Sequence, residues 1–285
     1  MNTIEVFEDT LTCLKQGGYP YGGNTVSFAY TLEEMMEARV LLPDVVRILI
    51  SKPPKKGDKR AGVITCENVD SFSAARKLKS QVQPSMKDVL VLNFASPIHP
   101  GGGVKKGARA QEEDLCRVSS LYVSLTSEKA ASFYKHNRMV DDTKGSTSMI
   151  FSDYVEIFKD ANYNYLKEPV RVSVLTCAAP IYRAGNMANP FLYEQKHYQL
   201  VYQRIVSMLV CCANFGYENL VLGAWGCGVF GNDAAKMAKL FERALNGEVK
   251  GGHPLRYSFD NIVFAVLDRS EEQYNFNSFE KVFKN

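Results

Sequence analysis

Residues 88–113 read DVLVLNFASPIHPGGGVKKGARAQEE. The first eight residues form an apolar run without polar alternation, the pattern of a strand buried on both faces. Three glycines follow, then seven residues, then Gln111, Glu112 and Glu113. Beyond them Leu115, Val118, Tyr122 and Leu125 are spaced three, four and three apart, which predicts one helix. Strand, glycine loop and helix in that order form the unit with which open α/β sheets hold ligands at the carboxyl ends of their strands.

Outward from this unit the same alternation continues. Strands are expected at 63–66, 89–94, 170–175, 220–223 and 262–267, the later four apolar on both faces. Helices are expected at 197–212 and 233–245, where Met237, Phe241 and Leu245 recur every four residues. Strands alternating with helices imply an α/β/α sandwich. Residues 135–168 have weak periodicity and read as an insertion with aromatic anchors. The basic stretch 51–60, SKPPKKGDKR, reads as a solvated connector between the N-terminal segment and the core.

The 285 residues allow one large α/β core, and 46% hydrophobic with 23% charged residues is a soluble, globular balance. The formal charge of +3 suits an anionic ligand without requiring nucleic acid. The N-terminal MNTIEVFEDT is acidic and lacks an apolar run, so no signal peptide is expected. The longest apolar stretch, 205–215, is interrupted by Ser207 and Asn214 and is too short to span a membrane. Seven scattered cysteines without a CxxC pair suit reduced thiols and a cytoplasmic setting. His99, His136, His197 and His253 are far apart, with no HExxH, so no zinc site is expected.

A second glycine cluster has the same context as the first. The strand NLVLG (219–223) leads into AWGCGVFGND (224–233) and then a helix. Glycine lets backbone approach a ligand closely and accept positive φ, and successive N–H groups make an anion site. Two such loops suit a diphosphate, although each alone reads equally as a tight turn. Gly226, Gly228 and Gly231 also spell GxGxxG. The acid that should follow about 20 residues later in a dinucleotide fold is missing, because the next strand ends near Asp268. A nicotinamide or flavin domain is therefore the weaker reading.

The adjacent glutamates carry two readings. Acidic residues in a first turn favour the helix dipole. Cleavage of a glycosidic bond needs a carboxylic acid for the leaving oxygen and a base for water. Neighbouring side chains on a helix do not face each other, so Glu112 and Glu113 should have different tasks.

The motif GGG-x7-QEE, from Gly101 to Glu113, resembles the signature of poly(ADP-ribose) glycohydrolases of the microbial, macrodomain type. The blocks FEDTLTCLKQGGY (7–19), VLVLNFASPIHPGGG (89–103), AQEEDLCRVSSLY (110–122), VSVLTCAAP (172–180), LVLGAWGCGVFGND (220–233) and VFAVLD (263–268) extend the resemblance over nearly the whole chain. It implies a three-layer macrodomain-like sandwich with a mixed sheet. One catalytic domain would span 1–285, with 1–60 as a helical extension packed on the core. It implies that Glu113 is the general acid/base and that Glu112 holds ribose hydroxyls. Asn93 would lie near the reacting ribose, Gly101, Gly102 and Gly103 around that ribose and the diphosphate, and Gly226, Gly228 and Phe230 in a second, diphosphate-binding loop, with Gln111, Cys227 and Val229 also binding substrate. No metal and no cofactor are implied. The expected partners are poly(ADP-ribose) or an ADP-ribosylated protein as substrate and ADP-ribose as product, with no membrane and no obligatory nucleic acid. The segment IHP (98–100) departs from the family pattern just before the glycines.

Rival functions of the same site are a mono-ADP-ribosyl hydrolase and a non-catalytic ADP-ribose reader. Chain-end cleavage is a further expectation, with Trp225 and Phe230 read as a wall beside the terminal ribose. Cys227 reads as packing rather than nucleophile, Arg117 as an ion-pair partner of Glu113 or a neighbour, and His99 as a surface residue.

Overall fold

The computed structural model of the chain describes residues 2–52, 54, 61–83, 89–140, 145–183, 189–247 and 253–284. In chain order the elements are α1 (Thr3–Gln16), β1 (Gly18–Tyr21), β2 (Asn24–Ser27), α2 (Leu32–Met35), β3 (Arg39–Leu41), α3 (Pro43–Ile50), β4 (Val63–Glu67), α4 (Ser71–Gln81), β5 (Leu90–Phe94), α5 (Gln111–Val118), α6 (Leu121–Leu125), α7 (Ala131–Met139), β6 (Met149–Lys159), β7 (Tyr165–Cys177), α8 (Pro190–Asn214), β8 (Asn219–Leu222), α9 (Ala234–Asn246), β9 (Asn261–Ala265) and α10 (Tyr274–Phe283). Most of the basic stretch 51–60 lies outside the described residues.

The main sheet has the order β3-β6-β7-β5-β8-β9-β4. Its first two pairings are antiparallel and the remaining four are parallel, so the sheet is mixed. Alternation along each parallel strand sorts side chains to opposite faces. Leu90, Leu92, Leu220, Leu222, Ile262 and Phe264 turn to the face covered by α3, α8, α9 and α10. Val89, Val91, Val221, Val263 and Ala265 turn to the face covered by α1, α4, α5, α6 and α7. Large residues on one side and small ones on the other complete a three-layer sandwich.

Three expectations are corrected. Residues 135–168 are not a loose insertion: they hold the end of α7, all of β6 and the start of β7, the longest strands of the described chain. The helix expected through Leu125 breaks after Val118. Ser119 is extended (φ −148°) and bridges to Ile157. Its spacing survives the break because α5 and α6 face the same core. The first 60 residues are more than a helical extension, because β1 and β2 form a hairpin and β3 supplies an edge strand of the main sheet.

Both glycine loops leave the carboxyl ends of adjacent parallel strands, β5 and β8. The first is latched to the N-terminal helix. Arg117, 0% exposed, donates from Nε to Thr3 O (3.2 Å), from Nη1 to Asp114 Oδ1 (2.7 Å) and from Nη2 to Ala108 O. The acidic neighbour it pairs with is therefore Asp114, one position beyond Glu113. Thr3 Oγ1 donates to Gly107 O (3.1 Å), and the buried Lys159 Nζ holds α1 at Val6 O, Thr10 and Asp9.

Arg117→Met keeps the aliphatic stem and strips the donors from the buried Thr3 carbonyl and the partly buried Ala108 carbonyl. A buried acceptor left unpaired costs about 1–3 kcal/mol. Urea denaturation should show at least that loss, and a change within about 0.5 kcal/mol would contradict the latch.

Candidate active site

The site starts from Gln111, the first residue of α5, which has no side-chain cap. Gln111 Oε1 accepts from Phe94 N (2.8 Å), while its Nε2 donates to Leu92 O (2.8 Å) and Ser71 Oγ (3.0 Å). The amide thus brackets the end of β5 and the start of α4. This register carries the next two residues beneath the first glycine loop.

Glu112 is 2% exposed and both its oxygens are engaged. Oε2 accepts from Ser96 N (2.7 Å) and Oε1 from Asn93 Nδ2 (3.3 Å). Glu113 is 7% exposed, and its Oε1 accepts from Gly103 N (2.7 Å). Its Oε2 has no hydrogen-bond partner among the described residues. Adjacent carboxylates therefore have different environments, as the helix geometry requires. Burial pushes the Glu112 carboxyl up to about 8. The N–H donors of Ser96, Asn93 and Gly101 oppose the rise, and the charge of Glu113 adds to it.

Gly102 packs directly on the pair. It has φ +59°, and a Cβ there would meet Glu113 Oε1 at 2.3 Å and Glu112 Oε2 at 3.2 Å. No side chain fits. Two buried polar atoms near Glu112 lack a partner among the described residues, Asn93 Oδ1 and Tyr134 Oη. Tyr134 lies on α7, and burial, then the charge of Glu112, push its phenol well above its ordinary value. The sequence reading missed it, although Ala130, Phe133, Tyr134 and Asn137 follow a helical spacing.

The second loop differs from the first in what its backbone does. In the first, Gly102 N donates to His99 O and Gly103 N to Glu113, so the N–H groups are used inside the loop. In the second, the N–H groups of Gly226, Gly228, Val229 and Phe230 donate to nothing among the described residues. Cys227 N closes a turn onto Ala224 O (3.1 Å). Val229 is 89% exposed at the tip. Successive free N–H groups of this kind attract an anion. Gly101, Gly102 and Gly226 have positive φ, while Gly103 and Gly228 do not. At Gly228 nothing lies within 4 Å of a Cβ position, so the protein itself leaves room for a side chain there.

A cavity of about 450 Å³ opens between α4, α5 and the second loop. Phe94, Gln111, Ala179, Gly226, Gly228, Val229 and Phe230 line it, and Val69, Phe72 and Val266 continue the wall beyond them. Gly101, Gly102, Gly103, Asn93, Glu112, Glu113 and Cys227 are not in that wall. The carboxylates therefore sit at the cavity's side, adjoining it through Gln111. Trp225 is wholly buried, its Nε1 donating to Cys177 O (2.9 Å). It is part of the cavity's floor and of the core, whereas Phe230, half-buried, is part of the cavity's wall. Burial drives the Cys227 thiol up, which keeps it protonated and fits packing rather than nucleophilic attack. His99 is exposed.

Among the described residues no three His, Cys, Asp or Glu side chains gather to hold a metal ion, and no helix is long and apolar enough to cross a membrane. All seven cysteines are free.

The family model for the microbial-type PARG catalytic domain matches residues 7–160. The structure is similar to that of poly(ADP-ribose) glycohydrolase (PARG) from Thermomonospora curvata, at 33% identity and TM-score 0.87, covering 99% of each chain. The same enzyme bound to the inhibitor ADP-HPD matches at 32% identity and TM-score 0.82, with 98% of each chain covered. The glycohydrolase from Deinococcus radiodurans in complex with ADP-ribose matches at 32% identity and TM-score 0.75, covering 88% of this chain and 96% of that one. No curated protein sequence matches.

The raised Glu112 carboxyl has a signature in stability. The folded state keeps a proton that the unfolded state releases near an ordinary glutamate value. Its contribution is therefore full below about pH 4.5 and is lost as pH rises through about 8, at about 1.4 kcal/mol per pH unit. Urea denaturation between pH 5 and 8 should show this downward slope in the wild type relative to Glu112→Gln. Parallel curves would mean that Glu112 ionises normally.

Proposed function

Because the chain belongs to the microbial-type poly(ADP-ribose) glycohydrolase family, we propose that it hydrolyses the ribose–ribose bonds of poly(ADP-ribose) and releases ADP-ribose. The observation that carries this reading is the unequal carboxylate pair under Gly102 on the loop after β5, together with four N–H groups that donate to nothing among the described residues on the loop after the adjacent β8. One feature is what glycosidic cleavage needs and the other is what a diphosphate needs.

Glu113 is the general acid/base. It has the oxygen that the protein leaves unbonded, and its other oxygen is clamped by Gly103 N–H. Glu113 gives a proton to the departing ribose oxygen as the anomeric C–O bond breaks through an oxocarbenium-like transition state. Water then attacks the anomeric carbon and returns a proton to the same carboxylate, which restores the starting state. Glu112 and Asn93 hold the ribose hydroxyls. Asn93 Oδ1 is a buried acceptor without a partner among the described residues, so a hydroxyl donor satisfies it. The N–H groups of Gly226, Gly228, Val229 and Phe230 receive the diphosphate, whose charge also steadies the cation. Phe230 and the wall at Val69, Phe72 and Val266 receive the adenosine end. A 450 Å³ cavity is within the usual range for a ligand of this size.

Residues 1–285 act as one catalytic unit, since β3 joins the main sheet and α1 latches the first glycine loop. The free thiols suit a cytoplasmic protein.

Incubation with poly(ADP-ribose) should release free ADP-ribose, whereas release only from mono-ADP-ribosylated protein would move the activity to that substrate. Glu113→Gln should lower turnover by about 10²–10⁴ while ADP-ribose affinity stays within about a few-fold. Glu112→Gln should lose less turnover and show part of its loss in affinity. If both variants cleave like wild type, the carboxylates only start a helix and the enzyme reading fails.

A further inference from the structure

The second loop is held from behind by side chains that are not in the cavity wall. Asn232 is buried under Gly226, whose Cβ position would lie 2.7 Å from Asn232 Nδ2. Nδ2 donates to Gly226 O (3.0 Å) and to Pro180 O (2.9 Å), and Asn232 N donates to Gly226 O (3.1 Å). One amide thus ties the start of the loop to its end and to the segment leaving β7.

Those two carbonyls also settle which way the amide faces. A carbonyl only accepts, so the NH₂ end must point at Pro180 and Gly226. Asn232 Oδ1 is then the atom 2.6 Å from His197 Nε2. Because Oδ1 is an acceptor, His197 Nε2 must carry hydrogen. His197, 6% exposed on α8, is packed among the rings of Tyr182, Tyr193 and Tyr198, with centroids 5.0–6.0 Å away. No carboxylate bonds to it among the described residues. Burial holds the imidazole below its ordinary value, the bond to Asn232 opposes that fall, and the nearby Arg204 charge adds to it. The neighbours of His197 brace adjoining parts of the loop: Tyr182 N donates to Phe230 O (2.8 Å), and Tyr198 Oη accepts from Asp233 N (3.0 Å).

We infer that His197, as a neutral Nε2–H donor, is a positioning residue that fixes the four-amide anion site through Asn232. The inference rests on the proposed ADP-ribose reading for its ligand, but the tautomer does not. Without the donor, Asn232 Oδ1 is a buried acceptor with no partner, and the amide is free to turn away from the loop. The N–H groups at Gly226, Gly228, Val229 and Phe230 then have to be ordered by the ligand, which weakens binding. The carboxylate pair is held by other contacts, so the chemical step is spared.

His197→Phe preserves an aromatic ring and removes the donor, whereas His197→Gln places an amide N–H near the Nε2 position. The Phe variant should bind ADP-ribose about tenfold more weakly and raise KM for poly(ADP-ribose) alike, with kcat within about threefold. The Gln variant should restore both within about threefold of wild type. Wild-type binding by the Phe variant, a loss confined to kcat, or equal damage in both variants would overturn the proposal. Long-range ¹H–¹⁵N NMR of the unliganded wild type gives a test that needs neither ligand nor variant. The His197 ring should be the neutral Nε2–H tautomer at pH 7, and a bare Nε2 would overturn the inference even if both variants failed to fold. If the wild type itself does not bind ADP-ribose while the tautomer is as expected, the functional reading fails and the brace stands.

Discussion

A missing Cβ at Gly102 is the constraint on which the site depends. The loop rests on both carboxylates at once, and any side chain there would strike Glu113 Oε1 at 2.3 Å. That contact lets Gly103 N–H reach Glu113 while Ser96 N–H reaches Glu112. It also excludes water from Glu112, which is why the carboxyl is driven up to about 8. Gln111 sets the height of the pair by bracketing β5 and α4, and Arg117 keeps the tail of the loop against α1.

The two glycine loops look alike in sequence and perform different tasks. The first spends its N–H groups on the protein's own groups, gripping a carboxylate and closing its own turn. The second leaves four N–H groups without an acceptor among the described residues and is shaped from behind by Asn232, His197 and Tyr198. The sequence treats the two loops alike, because glycine content reports where backbone can approach a partner and not which partner it meets. The proposed reaction uses both: a proton carrier on one side and an anion site on the other.

The central sheet was legible where strands are apolar on both faces, as in β5, β8 and β9. It was obscured in β6, which carries buried polar residues, and in the first half of β7, whose residues 165–171 are half-buried or exposed and include Lys167, Glu168 and Arg171. Ser152, Glu156 and Lys159 occupy interior positions in β6 and are each matched. Glu156 accepts from Ala29 N and Tyr30 N, and Lys159 bonds to Val6, Thr10 and Asp9 across 149 residues or more. A buried polar group is tolerable only with partners, and those partners come from segments no local pattern can connect. The same holds at the site. Glu112, Glu113 and Asn93 stand out within one short stretch, while Tyr134 and His197 reach the site only through the tertiary fold. The family resemblance supplied roles for the motif residues, and the contacts explain why adjacent glutamates have unequal environments.

The most direct test of the account is a crystal structure of the Glu113→Gln variant holding a two-unit fragment of poly(ADP-ribose). The account predicts the glycosidic oxygen within hydrogen-bond reach of the side chain at position 113. It predicts the diphosphate of the unit to be released on the N–H groups of Gly226, Gly228, Val229 and Phe230. A glycosidic oxygen held by Glu112 instead, or a diphosphate lying on the first glycine loop, would contradict it.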